Sequence, residues 1–129
     1  MTGFRRSEAL LLENSWIDDD YRSIKFPDTK TGKQTRIIGK AAAQEIRLQQ
    51  RRSRSNYVFP ADFGDGCFVG LPRVLGRVLR RARIEGVSLH TLRHTYASVA
   101  AELGFTELTI AGLLGHASRG SDAALYPYR

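Results

Sequence analysis

The chain is 129 residues long, 42% hydrophobic and 26% charged, with 20 Lys and Arg against 13 Asp and Glu for a formal net charge of +7. Such a length closes one hydrophobic core without room for a second ordinary domain, and the apolar fraction is too high for a disordered chain. No apolar run nears the roughly 20 residues that span a bilayer, the single Cys67 makes no internal disulfide and suggests no zinc site, and the excess positive charge points to a polyanion, nucleic acid before membrane.

The start, MTGFRRSEAL, carries no signal-peptide stretch, so the expected location is the cytoplasm. Residues 7–13 read as a short helix capped at Ser7 or a neighbour, with three leucines for a core. Three β-prone pieces follow at 15–18, 21–26 and 34–38, separated by the turn-rich runs 18–20 and 28–33, and they predict a three-stranded antiparallel meander. Trp16 is expected in the core on the first of these strands. Residues 40–51 read as a helix with Ala43, Ile46 and Leu48 available to the core, ended by the basic run 51–55. Tyr57, Val58 and Phe59 form a short buried segment stopped by Pro60, before a loop at 64–66.

Pro72 opens the next helix, where its missing N–H costs nothing, and Gly86 is expected to close it. Val74, Leu75, Val78, Leu79 and Ala82 recur at helical spacing, while Arg73, Arg77, Arg80, Arg81 and Arg83 occupy the remainder. That arginine face is either a solvated surface or a phosphate-contacting one. Ser88 is the expected N-cap of a helix over 89–103 that Gly104 ends, and Thr106 begins a last helix to Leu114, closed by Gly115. These elements make an α+β chain, mainly helical, with one small sheet.

On the helix from Leu89, the residues Leu89, Leu92, Tyr96, Val99 and Leu103 fall in a stripe about 60° wide, which is expected to face the core. His90 and Arg93 lie three apart beside that stripe, and His94 turns further toward solvent. A histidine in that place serves either the structure or, with an arginine beside it and a basic surround, a phosphate site. His116 follows the Gly115 cap at a helix end. Cys67, beside Phe68, has no adjoining base or cationic helix start and reads as a small buried or loop residue. The acidic run 18–20 reads as a solvated turn, since metal catalysis would need further carboxylates, and neither a metal nor a cofactor is expected.

Three fragments, TGFRRSE at 2–8, HTLRHTYAS at 90–98 and LLGHAS at 113–118, resemble in order and spacing the motifs of the tyrosine recombinase (phage integrase) catalytic domain. The turn at 28–33 resembles that family's lysine-bearing β-hairpin, and 57–60 its linking segment. The resemblance implies that Arg5 is the first catalytic arginine, Lys30 the hairpin lysine with Lys33 competing for the role, His90 and Arg93 the His-x-x-Arg pair, and His116 the later histidine. It implies Tyr126 as the nucleophile, ten residues after His116 where the family more often has nine, with Tyr128 as the alternative.

A tyrosine attacking a DNA phosphodiester leaves a 3′-phosphotyrosyl link. Arginines stabilise the charge on the non-bridging oxygens, and a lysine protonates the departing 5′ oxygen. The implied partner is double-stranded DNA, on which full-length members of the family assemble as tetramers. Arg6 stands where the family has a small or variable residue, and Pro127 opposes continuing a helix past Tyr126. Relative to the family, the chain starts on the Arg5 motif and ends just after Tyr126. The expectation is therefore a partial catalytic domain without the N-terminal core-binding domain, binding DNA weakly and lacking the segment that docks on a neighbour. The competing expectations are a DNA-binding remnant of an integrase that no longer cleaves, and a type IB topoisomerase, which the short length and LLGHAS disfavour.

Overall fold

The computed structural model describes residues 2–29 and 32–116. The expected α+β, mainly helical architecture is present, with one difference in the sheet. Helix α1 spans only Arg6–Leu10. It stops early because the backbone beyond it pairs elsewhere: Asn14 donates to the Asn56 carbonyl at 2.8 Å and Val58 to the Leu12 carbonyl at 2.9 Å, with a bridge between Glu13 and Tyr57. Its N-cap is Arg5 rather than Ser7.

The predicted first strand at 15–18 is instead a 3₁₀ turn over Asn14–Trp16. Trp16 and Ile17 donate to the carbonyls of Glu13 and Asn14, which uses the backbone groups a ladder would need. Only Ile17 is left extended, and it makes one isolated bridge to Ile24. The sheet therefore has two strands, β1 (Ser23–Phe26) and β2 (Gln34–Ile37), antiparallel, with Ile24 opposite Arg36 and Phe26 opposite Gln34. In the hairpin loop, Thr29 and Gly32 exchange backbone hydrogen bonds at 3.0 Å; Lys30 lies outside the described residues.

Helix α2 (Lys40–Arg52) buries Ile46 against the sheet, whereas Leu48, predicted for the core, is exposed. Leu12, Ile24, Phe26, Ile38, Ile46 and Val58 form the core, with Phe4, Trp16, Ile17, Tyr21 and Phe59 packed around it. Helix α3 (Leu71–Ala82) carries Pro72 in its first turn, as expected, but ends at Arg83 in the left-handed region (φ 56) rather than at Gly86. The Arg83 and Ile84 N–H groups close the last turn on Arg80 and Leu79. No residue of α3 is buried.

Helix α4 (Leu89–Glu102) is capped as predicted, Ser88 Oγ accepting from the Thr91 N–H at 3.3 Å. Its inward face is different from the predicted stripe. Leu92, Val99 and Leu103 are exposed, Leu103 by 71%, while Arg93 and Ala100 are buried. What packs on α4 is the chain start and α5 (Glu107–Leu114), and both approach the side of Arg93, Tyr96 and Ala100. Gly3, in the left-handed region (φ 68), lies so close that a Cβ there would stand 2.6 Å from Tyr96 Cδ1 and 2.9 Å from Leu114 Cδ2. Gly3→Ala is accordingly expected to cost about 1–3 kcal/mol through strain and overpacking, seen as a lower urea midpoint at unchanged m-value. Among the described residues no helix is long and apolar enough to cross a membrane.

Candidate active site

Residues from four distant segments meet beside α1. Arg93 projects from the first half of α4 and is 7% exposed. Its Nη1 donates to the Gly3 carbonyl at 2.6 Å and its Nη2 to the Leu114 carbonyl at 2.8 Å. A guanidinium has five N–H donors, so three remain for another acceptor. Arg5, at the start of α1, holds Glu8 twice, through its backbone N–H (2.9 Å to Oε2) and through Nη1 (3.2 Å to Oε1). The same carboxylate receives a two-pronged bond from Arg36 on β2, Nη1 to Oε2 and Nη2 to Oε1, each 2.7 Å. Neither Arg36 nor Gln34 falls in the family-like motifs, and Glu8 does so only as the last residue of TGFRRSE. The available signal was Ile38: two residues beyond Arg36 in an extended run, it shares the inward face.

Two guanidiniums, Arg5 and Arg36, share one carboxylate, and the buried Arg93 beside them has no carboxylate of its own, which leaves excess positive charge. Burial pushes the Glu8 carboxyl up, but the Arg36 hydrogen bonds, the Arg5 N–H and the charges of both arginines outweigh it and hold it at about 2. A carboxyl held below its ordinary value of 4.5 adds stability above that value and loses it as pH falls toward 2. The protein is therefore expected to be equally stable from pH 5 to 7 with respect to this group and to weaken below about 4.5. In Glu8→Gln that acid limb should be flatter and the urea midpoint at pH 7 lower, since two guanidiniums lose their counter-charge.

His116 follows the left-handed cap at Gly115 (φ 72), its N–H closing on the Ala111 carbonyl at 2.9 Å. Desolvation and then the charges of Arg93, Arg5 and Arg36 press its imidazole below the usual histidine value, so it is neutral at pH 7 and carries both a donor and an acceptor nitrogen. Arg93 is shifted downward in turn, by burial first and then by the Arg5 charge, without losing its proton.

A cavity of about 660 Å³ opens between the start of α1, α3 and the start of α4, and Arg5, Arg6, His90 and Arg93 line it beside apolar Leu75 and Leu79 of α3. His90 is exposed on this wall and meets the His94 ring edge-to-face at 4.5 Å. Arg93, expected at the edge of the core, is buried instead. The arrangement thus places Arg5, Arg93 and His90 on one cavity, with His116 near enough to Arg93 and Arg5 to feel their charge. Arg73, Arg77, Arg80 and Arg81 lie exposed on α3, away from the guanidinium cluster, with Arg77, Arg80 and Arg81 around a second depression. Lys30, Tyr126 and Tyr128 fall outside the described residues. Among the described residues no three His, Cys, Asp or Glu side chains converge as a metal site.

The family model of the phage integrase family matches residues 1–126. The chain belongs to the phage integrase family. Three solved structures similar to this integrase-family chain are tyrosine recombinases. A crystal structure of XerA recombinase is 26% identical, with a TM-score of 0.76 over 91% of this chain and 45% of that one. The Tn1549 transposon integrase in complex with circular intermediate DNA is 17% identical at TM-score 0.71, covering 92% of this chain and 47% of that one. The XerH site-specific recombinase bound to its difH substrate is 20% identical at TM-score 0.70, covering 91% and 37%. The integrase-family chain thus spans less than half the length of each of these three. No curated protein sequence matches it significantly. Family and fold together place it in the general class of tyrosine recombinases, whose catalytic domain shares its helical build and small antiparallel sheet.

Proposed function

We propose that residues 1–129 form part of the catalytic domain of a site-specific recombinase that cleaves and rejoins duplex DNA through a 3′-phosphotyrosyl link. The observation that carries this reading is the convergence of Arg5, buried Arg93 and exposed His116 on one positively charged place in a chain of this family. The unused N–H groups of Arg93 and Arg5 suit the non-bridging oxygens of a phosphodiester, where fixed guanidiniums stabilise charge that grows in the transition state. The Tyr126 oxygen attacks phosphorus, a P–O bond to tyrosine forms, and the bond to the 5′ oxygen breaks. The tyrosine proton leaves with assistance from His90, Lys30 gives a proton to the departing 5′ oxygen, and His116 donates to a phosphate oxygen or orients the nucleophile. Guanidiniums supply the positive charge, so no step needs a metal. Attack by a 5′-hydroxyl on the phosphotyrosyl bond reverses the sequence and rejoins a strand.

A duplex carrying a nick near the cleavage point should trap a covalent adduct with the intact chain, and Tyr126→Phe should abolish it. If Tyr126→Phe keeps the adduct and Tyr128→Phe removes it, the nucleophile is Tyr128. DNA retention with no adduct on any duplex would favour the reading of a binding remnant, and relaxation of supercoils without site preference a topoisomerase. The exposed arginines of α3 are proposed to lie along the DNA backbone. Arg77→Ala and Arg81→Ala should each reduce the slope of log Kd against log salt by about 1, while an unchanged slope would assign that face to solvent.

A further inference from the structure

Arg36 does not behave like the other two arginines. Its side chain is only 1% exposed. Two of its nitrogens grip the Glu8 carboxylate, Nε reaches Gln34 Oε1 at 3.0 Å, and Nη2 reaches the same oxygen at 2.8 Å. Four of its five N–H groups are thereby used. The Phe26 and Phe4 rings stand 4.7 and 5.4 Å from its central carbon. A group so occupied and so enclosed is poorly suited to ligate a phosphate. It does, however, touch the supports of the residues that are suited to it. Glu8, which Arg36 holds, is the carboxylate that holds Arg5. Gln34, which Arg36 also holds, donates from Nε2 to the Gly115 carbonyl at 3.1 Å, one residue before His116. The Gly115 backbone packs directly on the guanidinium, with no room for a Cβ between them.

We infer that Arg36 is a positioning residue that sets the Arg5 guanidinium, through Glu8, and the His116 backbone, through Gln34 and Gly115, at one fixed spacing. This rests on the recombinase reading, and it adds a residue of β2 to the site. The fork is what does this. One carboxylate shared by two guanidiniums is held in a single plane by the bidentate bond, a geometry an ammonium does not reproduce.

The test uses the intact chain and Arg36→Lys, which keeps the charge and loses the fork. Single-turnover adduct formation on the nicked duplex should slow at least tenfold, with Kd for the same duplex within about twofold. In an Arg5→Ala background, Arg36→Lys should slow the residual reaction by a clearly smaller factor than in the parent, because the branch through Glu8 is already lost and only the branch to His116 remains. Full additivity in that background, or an unchanged rate in the single variant, overturns the inference. The exchanged pair Glu8→Arg with Arg36→Glu guards against a folding artefact. It keeps an ion pair beside the sheet, so the melting midpoint should recover relative to either single change, but it faces Arg5 with a like charge. A fast adduct in the exchanged protein overturns the inference. Should the parent chain form no adduct, the recombinase reading fails, and Arg36 is judged by NMR of the DNA-free protein. The Arg5 Nε–H resonance should then shift and broaden in Arg36→Lys while that of Arg93 stays, and an unmoved Arg5 resonance refutes the role.

Discussion

Arg93→Ala is expected to lower stability by about 3 kcal/mol or more, a fall of about 10 °C in melting midpoint, and to slow adduct formation at least a hundredfold. The two losses have separate causes. Stability falls because the carbonyls of Gly3 and Leu114, now served by one buried guanidinium, are left without donors, and each orphaned buried acceptor costs about 1–3 kcal/mol. The rate falls because the phosphate loses a cation placed where charge develops. Arg93→Lys separates them. A single ammonium does not span both carbonyls and a phosphate, so it should regain part of the stability and little of the rate. Thermal melting followed by circular dichroism, beside single-turnover adduct formation, checks both. A Lys variant as fast as the parent would place the decisive cation elsewhere.

Gly115→Ala should be nearly as damaging. Its backbone is left-handed (φ 72), which costs a side-chain-bearing residue about 1–2 kcal/mol, and a new Cβ would overlap the Arg36 guanidinium. Overpacking of that kind adds about 1–3 kcal/mol. Gly115→Asn distinguishes the two terms, because asparagine tolerates the left-handed region but still carries a Cβ. Loss of stability in both variants assigns the effect to Arg36, and loss only in Gly115→Ala assigns it to the backbone. Gly76→Ala is the control: it sits in α3 with open space around it and should stabilise by about 0.5–1 kcal/mol. Urea midpoints of the three proteins decide the matter.

How much of this was legible in the residues depends on whether the determinant was local. Ser88, Thr106 and Gly115 announce helix ends through hydrogen bonds within three or four residues, and the structure places caps at all three. The spacing of His90 and Arg93 is likewise a property of one helix, so both do line one cavity. The inward face of α4 was not local. It is decided by Gly3, ninety positions away, whose close approach draws Arg93 and Tyr96 inward and leaves the larger stripe of Leu92, Val99 and Leu103 exposed. Arg36 escaped notice for a related reason. Its neighbour Ile37 is the better apolar candidate by composition, yet Ile37 faces out and Arg36 faces in, because the face is set by pairing with the buried Ile24. The third strand failed on the competition between a 3₁₀ turn and a ladder for the same backbone groups, which β-propensity does not register. Arg83 shows that a left-handed helix end does not require the nearest glycine.

The bond from Arg93 to Gly3 joins positions 90 apart, whereas the Arg36 bonds to Glu8 join positions 28 apart. During synthesis the sheet, α1 and α2 are available to pair well before Arg93 leaves the ribosome. The core, the Glu8 clasp and half of the cation cluster can therefore form without α4, whereas the contact between the chain start and α4 cannot. Closing the longer span costs about 1 kcal/mol more in chain entropy than closing the shorter one. Release of Gly3 from Arg93 unpairs a buried carbonyl and guanidinium, yet it costs less than global unfolding because it separates Arg93 from Arg5 without unfolding β1, β2 or α2. Amide exchange at the chain start and the end of α5 should report that opening as a unit, faster than exchange in the sheet. Assembly of the anion site is, in this sense, an equilibrium separate from folding of the core.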